Sequence, residues 1–141
     1  MKRNNTISFL RVSLCPCLIA LAALSLSSCK ESLEDKAEKE SKEFTQKYCP
    51  TPVINNERTD SMTFDRDSKT YTYYRTWTDK ADNADVINAN KNKIHDLLLQ
   101  AVKNNPSLKA YKEDGFSFHF IFRSERSKKT LYETTIGPKQ Y

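Results

Sequence analysis

The stretch FSFHFIFR, residues 116–123, places phenylalanine at every second position: Phe116, Phe118, Phe120 and Phe122, with Ser117, His119, Ile121 and Arg123 between them. In an extended chain successive side chains point to opposite faces, so this spacing sends four rings to one side and a mostly polar set to the other. A helix would scatter the same rings around its circumference. The stretch is therefore predicted to be a strand that forms one wall of a core.

Downstream, the polar run 125–129 separates this strand from a second, Thr130 to Ile136, which Gly137-Pro138 closes. Two short strands around a polar turn read as a hairpin. Upstream, Gly115 marks the exit from a helical region. There Ile87, Ile94, Leu98, Ala101 and Val102 recur at helical spacing within 79–104, predicting an amphipathic helix over a sheet face. Asp79, Asp82 or Asn83 can cap its start, and Asn105-Pro106 stops it before a short turn through Leu108 and Tyr111.

Earlier still, Arg58 to Asp65, with Met62 and Phe64 on one face, and Thr70 to Thr78 flank the polar turn 65–69. Tyr71, Tyr73, Tyr74 and Trp77, interleaved with threonines, favour extended structure, so these segments predict another hairpin. Alternation groups Tyr71, Tyr73 and Trp77 and leaves Tyr74 on the opposite face. The first charged segment, 30–47, spaces Asp35/Lys39, Glu38/Lys42 and Glu43/Lys47 to pair across one helical turn. It is expected to be a solvated tether whose second half docks as a helix, ended by Pro50 and Pro52. The sum is an α+β domain in the order α-ββ-α-ββ: an antiparallel four-stranded sheet of two hairpins with helices packed on one face.

The start of the chain has a different character. Lys2, Arg3 and Arg11 flank its beginning, Val12 to Leu26 is apolar apart from Ser13, Pro16 and Ser25, and small residues follow at Ser27 and Ser28. A charged, then apolar, then small-residue order is that of a secretory signal. The apolar run falls short of the ~20 residues a spanning helix needs, and Pro16 interrupts it.

Leu26-Ser27-Ser28-Cys29 resembles the lipobox of bacterial lipoproteins. The resemblance implies cleavage before Cys29, diacylglyceryl on its sulfur and acylation of the new amino group. Two or more acyl chains hold a protein stably on a membrane. Lys30, where an Asp would imply inner-membrane retention, resembles the outer-membrane sorting pattern, and the facing of the domain stays open. The expected organisation is a leader at 1–28, a lipidated cysteine with charged tether at 29–47, and one domain at 48–141, which resembles small bacterial lipoproteins with a hairpin, a helix and a second hairpin.

Charge and composition then exclude several functions. The chain has 23 Lys plus Arg against 18 Asp plus Glu, and losing Lys2, Arg3 and Arg11 with the leader brings the balance near neutral. That argues against a nucleic-acid partner, which needs a basic stripe. Cys15 and Cys17 leave with the leader, so Cys49 stays as a lone thiol, read as a small buried hydrophobe, and no intramolecular disulfide is expected. Gly115 and Gly137 are the only glycines. Two glycines cannot supply a phosphate-binding loop, a dinucleotide fingerprint or a nucleophile elbow. His95 and His119 lack neighbours at metal-ligand spacing, so neither a metal nor any cofactor besides the covalent lipid is expected.

Two surfaces remain as candidates for binding. Arg123, Arg126, Lys128 and Lys129 surround the second hairpin turn and could meet an anionic glycan or head group, although charged tips also serve edge protection. Tyr74, with Trp77 on the same strand, offers a stacking surface for sugar or protein. The expected function is that of a lipid-anchored envelope lipoprotein, a non-catalytic binding or structural module for a protein or glycan. The alternative is a small envelope hydrolase or inhibitor-like domain using Cys49 or His119.

Overall fold

The structure, a computed structural model, describes residues 31–141. The readings of the leader, of Leu26, Ser27 and Ser28, and of Cys29 and Lys30 lie outside the described residues.

Helix α1 (Leu33–Tyr48) opens on a reciprocal cap: the Ser32 hydroxyl accepts from the Asp35 amide at 3.0 Å, and the Asp35 carboxylate accepts from the Ser32 amide at 3.2 Å. Such a pair satisfies two backbone donors that the first turn leaves free. Strands β1 (Glu57–Asp65) and β2 (Thr70–Trp77) form the first hairpin, and β3 (Ser117–Ser124) and β4 (Thr130–Ile136) the second.

Between the hairpins run a 3-10 turn (Asp79–Ala81), α2 (Ala84–Ala89), α3 (Lys91–Asn104), a second 3-10 turn (Pro106–Leu108) and α4 (Lys109–Glu113). The single helix expected over 79–104 is thus divided. Asn83 is its working cap, accepting from the amides of Asp85 and Val86, and the break falls at Asn90. Asn90 leaves helical geometry at φ −115° and ψ 14° while its side-chain amide donates to the Val86 carbonyl at 2.7 Å. Asparagine competes in this way with the helix ladder.

The sheet order is β1-β2-β3-β4. Both hairpins are antiparallel, but β2 and β3 run parallel, so the sheet is mixed and not antiparallel throughout. The reason lies in the connection. The helical segment from Thr78 to Phe116 returns the chain to the starting end of β2, and a parallel pair requires such a crossover.

Register then fixes the core. Tyr71 lies opposite Phe118 and Tyr73 opposite Phe120, with the rings of the second pair stacked at 5.0 Å; Trp77 stacks on Phe122 at 4.2 Å. Phe116, Phe118, Phe120 and Phe122 are all buried, as the alternation predicts. Burying one such ring contributes about 1.5–3 kcal/mol. All helices cover this face, α1 chiefly along β1, and α2 and α3 along β4.

Candidate functional site

With α1 over one edge strand and α2 and α3 over the other, the helix side of the sheet holds a depression next to α1. Its floor is Met62, Tyr71 and Tyr73, α1 supplies Lys36 and Glu40, and Ser107, Leu108 and Tyr111 close the far side; its volume is about 470 Å³. A second depression of about 330 Å³ shares Glu40 and Met62 and continues along α1 past Phe44 and Tyr48. Together they make a groove running beside the helix. Tyr48 is 62 % exposed at its far end, an aromatic ring left in water beside an apolar floor.

The groove has a polar wall. Tyr111 donates from its hydroxyl to Glu40 at 2.7 Å, and Lys36 sits 3.6 Å from Glu40 and over the Tyr111 ring. Burial, then the hydrogen bond to Glu40, pushes the Tyr111 phenol up to about 12. Burial likewise pushes Tyr73 up to about 12 and drives Tyr71 upward. All three phenols are therefore neutral donors at ordinary pH.

Tyr71 is the exception in this network. Its hydroxyl is buried beside the Tyr111 phenol, whose hydrogen-bonding influence reaches it, but among the described residues no partner meets it at full hydrogen-bond geometry. Leaving a buried polar group unsatisfied costs about 1–3 kcal/mol. One other buried side-chain atom on this face shares the condition, Nε of Arg75. The guanidinium of Arg75 lies 5.7–5.8 Å from the rings of Tyr73, Phe120 and Phe122, and its Nη1 donates to Glu57 at 2.6 Å. Trp77 donates from Nε1 to the same carboxylate at 3.1 Å. A cation thus lies on the aromatic floor, neutralised by one shared acid.

The residues singled out from the sequence divide. Tyr74 and Arg123 do come together on the helix-free face, the guanidinium 5.5 Å from the ring. Trp77 does not join them: it is 8 % exposed and belongs to the core through Phe122. Period-two alternation already separates Trp77 from Tyr74, so its place on a binding surface is corrected. Arg126 folds back on buried Asp82, donating from its backbone amide at 3.0 Å and from Nε at 3.1 Å. Ser124 and then Arg126 hold the Asp82 carboxyl below its ordinary value. Lys128 and Lys129 are exposed at the turn. The four basic residues therefore do not converge on one patch.

The nucleophilic alternative finds no assembly. Cys49 follows α1 at the β1 edge, whereas His95 contacts Thr134 of β4 at 3.0 Å and His119 contacts Thr135 of β4 at 2.7 Å. Strands β1 and β3 are two spacings apart, about 10 Å. Burial, then the charge of Asp60, pushes the Cys49 thiol up, the wrong direction for a nucleophile. Among the described residues no three His, Cys, Asp or Glu side chains are placed to hold a metal ion.

Residues 32–132 match the family described as Domain of unknown function DUF8479. The chain belongs to that family. No curated protein matches it. Three solved structures share the fold of this DUF8479 member. A protein of Pseudomonas aeruginosa described as secreted has a TM-score of 0.60 and 12 % identity, over 77 % of this chain and 96 % of its own. The type II secretion system pilotin AspS from Vibrio cholerae has a TM-score of 0.56 and 13 % identity, over 77 % and 91 %. The pilotin EpsS from the Vibrio vulnificus type 2 secretion system has a TM-score of 0.53 and 11 % identity, over 76 % and 89 %. At such identities the likeness is one of fold.

The groove escaped the sequence because its floor residues, Tyr71 and Tyr73, read as core. One signal was present. Tyrosines at three interior positions, 71, 73 and 111, carry hydroxyls that a phenylalanine core would not need to satisfy.

Proposed function

We propose that this chain is a lipid-anchored, non-catalytic module of the bacterial cell envelope, held through Cys29, that seats an apolar segment of a partner protein in the groove beside α1. The observation that carries the reading is the pair of depressions that run along α1 over Met62, Tyr71 and Tyr73, with the Tyr48 ring exposed at their far end. A segment that fills the depression buries apolar surface against Met62, Tyr73 and Leu108 and can pair its polar side with Lys36 and Glu40. The groove follows a helix, and its mixture of ring and aliphatic floor with a Lys36–Glu40 rim suits an amphipathic helix laid against it.

Fold likeness to two secretion-system pilotins adds secretion-apparatus subunits to the partners worth testing first. The raised Cys49 thiol and the separated histidines weigh against the hydrolase alternative. The resemblance of Lys30 to the outer-membrane sorting pattern supports placement in the outer membrane.

The test is photocrosslinking in living cells, with the crosslinking side chain at Leu108 in the groove or at Thr63 on the helix-free face. One discrete protein adduct from Leu108, absent from Thr63 and lost in a Tyr73→Glu background, supports the proposal. Equal adducts from both faces, or a glycan adduct at Leu108, would overturn it. Membrane fractionation of the Cys29→Ala chain tests the anchor separately.

A further inference from the structure

The first turn of α1 is bolted to one end of the domain. Glu34 meets Lys69 at 2.9 Å, Lys69 meets Asp114 at 2.7 Å, and Arg66 binds Asp35. The helix is thus docked from its start, and the tether expected over 29–47 shrinks to the few residues before Ser32. Two residues, Lys30 and Glu31, separate Cys29 from the Ser32 cap, a path of three Cα–Cα steps. Fully extended, this path reaches about 11 Å.

Resting on the lipid-anchor reading, we propose that the end of the domain formed by the β1–β2 turn, the α1 N-terminus and the end of α4 lies against the lipid head groups. The tether is too short to let this end stand clear of the surface whose lipid it carries. The contact rests on the short tether and not on charge: Lys69 is shared between Glu34 and Asp114 and Arg66 pairs with Asp35, while Asp65 and Asp67 leave this end acidic. Helix α1 rises from that surface by its own length, about 24 Å. The β3–β4 turn, at the other end of the strands, stands away from the membrane with Lys128 and Lys129. The groove consequently opens sideways, and a partner segment lies upright along α1.

The experiment uses the full chain matured in cells, carrying Cys49→Ser and one added cysteine, Asp67→Cys at the β1–β2 turn or Lys129→Cys at the β3–β4 turn. Each is labelled with a fluorophore and reconstituted into phosphatidylethanolamine–phosphatidylglycerol vesicles containing a lipid with a quenching head group. The expected result is several-fold stronger quenching at position 67 than at 129, with the difference lost when a flexible twelve-residue insert (about a dozen residues, an r.m.s. reach near 20 Å) follows Glu31. Flotation with the vesicles but equal or reversed quenching overturns the orientation and leaves the anchor standing. A chain that fails to float, or a Cys29→Ala chain that floats equally well, overturns both.

Discussion

The Thr45 hydroxyl engages both backbone groups of Met62, donating to its carbonyl at 2.7 Å and accepting from its amide at 2.8 Å. Met62 lies on β1, an edge strand, and an unpaired edge invites another strand. Thr51 repeats the device, its amide donating to the Thr59 carbonyl and its hydroxyl accepting from the Thr59 amide, both at 2.9 Å. The Thr45→Val variant, which keeps the shape and loses the hydroxyl, is expected to cost about 1–3 kcal/mol. Thr45→Ser should retain most of the stability. Urea titration of both variants checks this, and equal midpoints would refute the role given to the hydroxyl.

Trp77 and Tyr74 sit three residues apart on β2 but on opposite faces. Trp77→Ala is expected to destabilise by about 3–5 kcal/mol, the scale for removing a large buried ring. Tyr74→Ala should cost about 1 kcal/mol or less, comparable with an exposed cation–π contact. Similar thermal midpoints for the two variants would contradict the placement of Trp77 in the core.

Removing the Tyr71 hydroxyl should help the free domain and leave the groove open to its partner. Tyr71→Phe is expected to raise stability by about 1 kcal/mol, because an unsatisfied buried group disappears. Partner crosslinking from Leu108 should persist in the same variant, because the hydroxyl is sealed beneath the groove. A loss of stability would instead mean that the hydroxyl already has a partner in the free domain.

The docking of α1 carries an acid signature. The Arg66 guanidinium, and then the Ser32 cap, lower the Asp35 carboxyl from 3.8 to about 2. A depressed folded value means that the contribution of this carboxylate is complete above 3.8 and is lost as pH falls toward 2. Carboxyl titration followed by NMR should show the low value, and Arg66→Met should move it upward. An unchanged Asp35 titration in Arg66→Met would rule out the pair.

The interior tyrosines carry the opposite signature. Tyr73 and Tyr111 ordinarily titrate near 10.0 and are raised to about 12. A raised phenol favours the neutral folded form, so the stability it supports is complete below 10.0 and declines as pH rises toward 12. Tyrosinate absorbance should therefore show a late-titrating group that merges with alkaline unfolding. Titration of every tyrosine near 10.0 while circular dichroism stays native would contradict the burial.

Much of this architecture is legible in the side-chain pattern. Four alternating phenylalanines and a Tyr/Thr-rich segment locate the central strands, because period two is a property of extended backbone alone. The same period carries no strand direction, so it cannot distinguish a parallel β2–β3 pair from an antiparallel one. The break at Asn90 depends on one side-chain amide reaching the Val86 carbonyl, a contact invisible to hydrophobic spacing. The full docking of α1 was hidden for a related reason. Its charges resemble a solvated face, and only the fold brings Lys69 and Arg66 within reach of Glu34 and Asp35.

The parallel seam between β2 and β3 also sets an order of assembly. Each hairpin closes a turn of a few residues, whereas Tyr71 can meet Phe118, and Tyr73 can meet Phe120, only after the whole segment 78–116 has looped back. Loop closure of that length is entropically expensive and yields no reward until the strands pair. The two halves of the sheet are thus early, local objects joined late along one aromatic zip. Substitutions at Tyr73 or Phe120 should slow folding more than equally destabilising ones within either turn, making this seam the kinetic hinge of the domain.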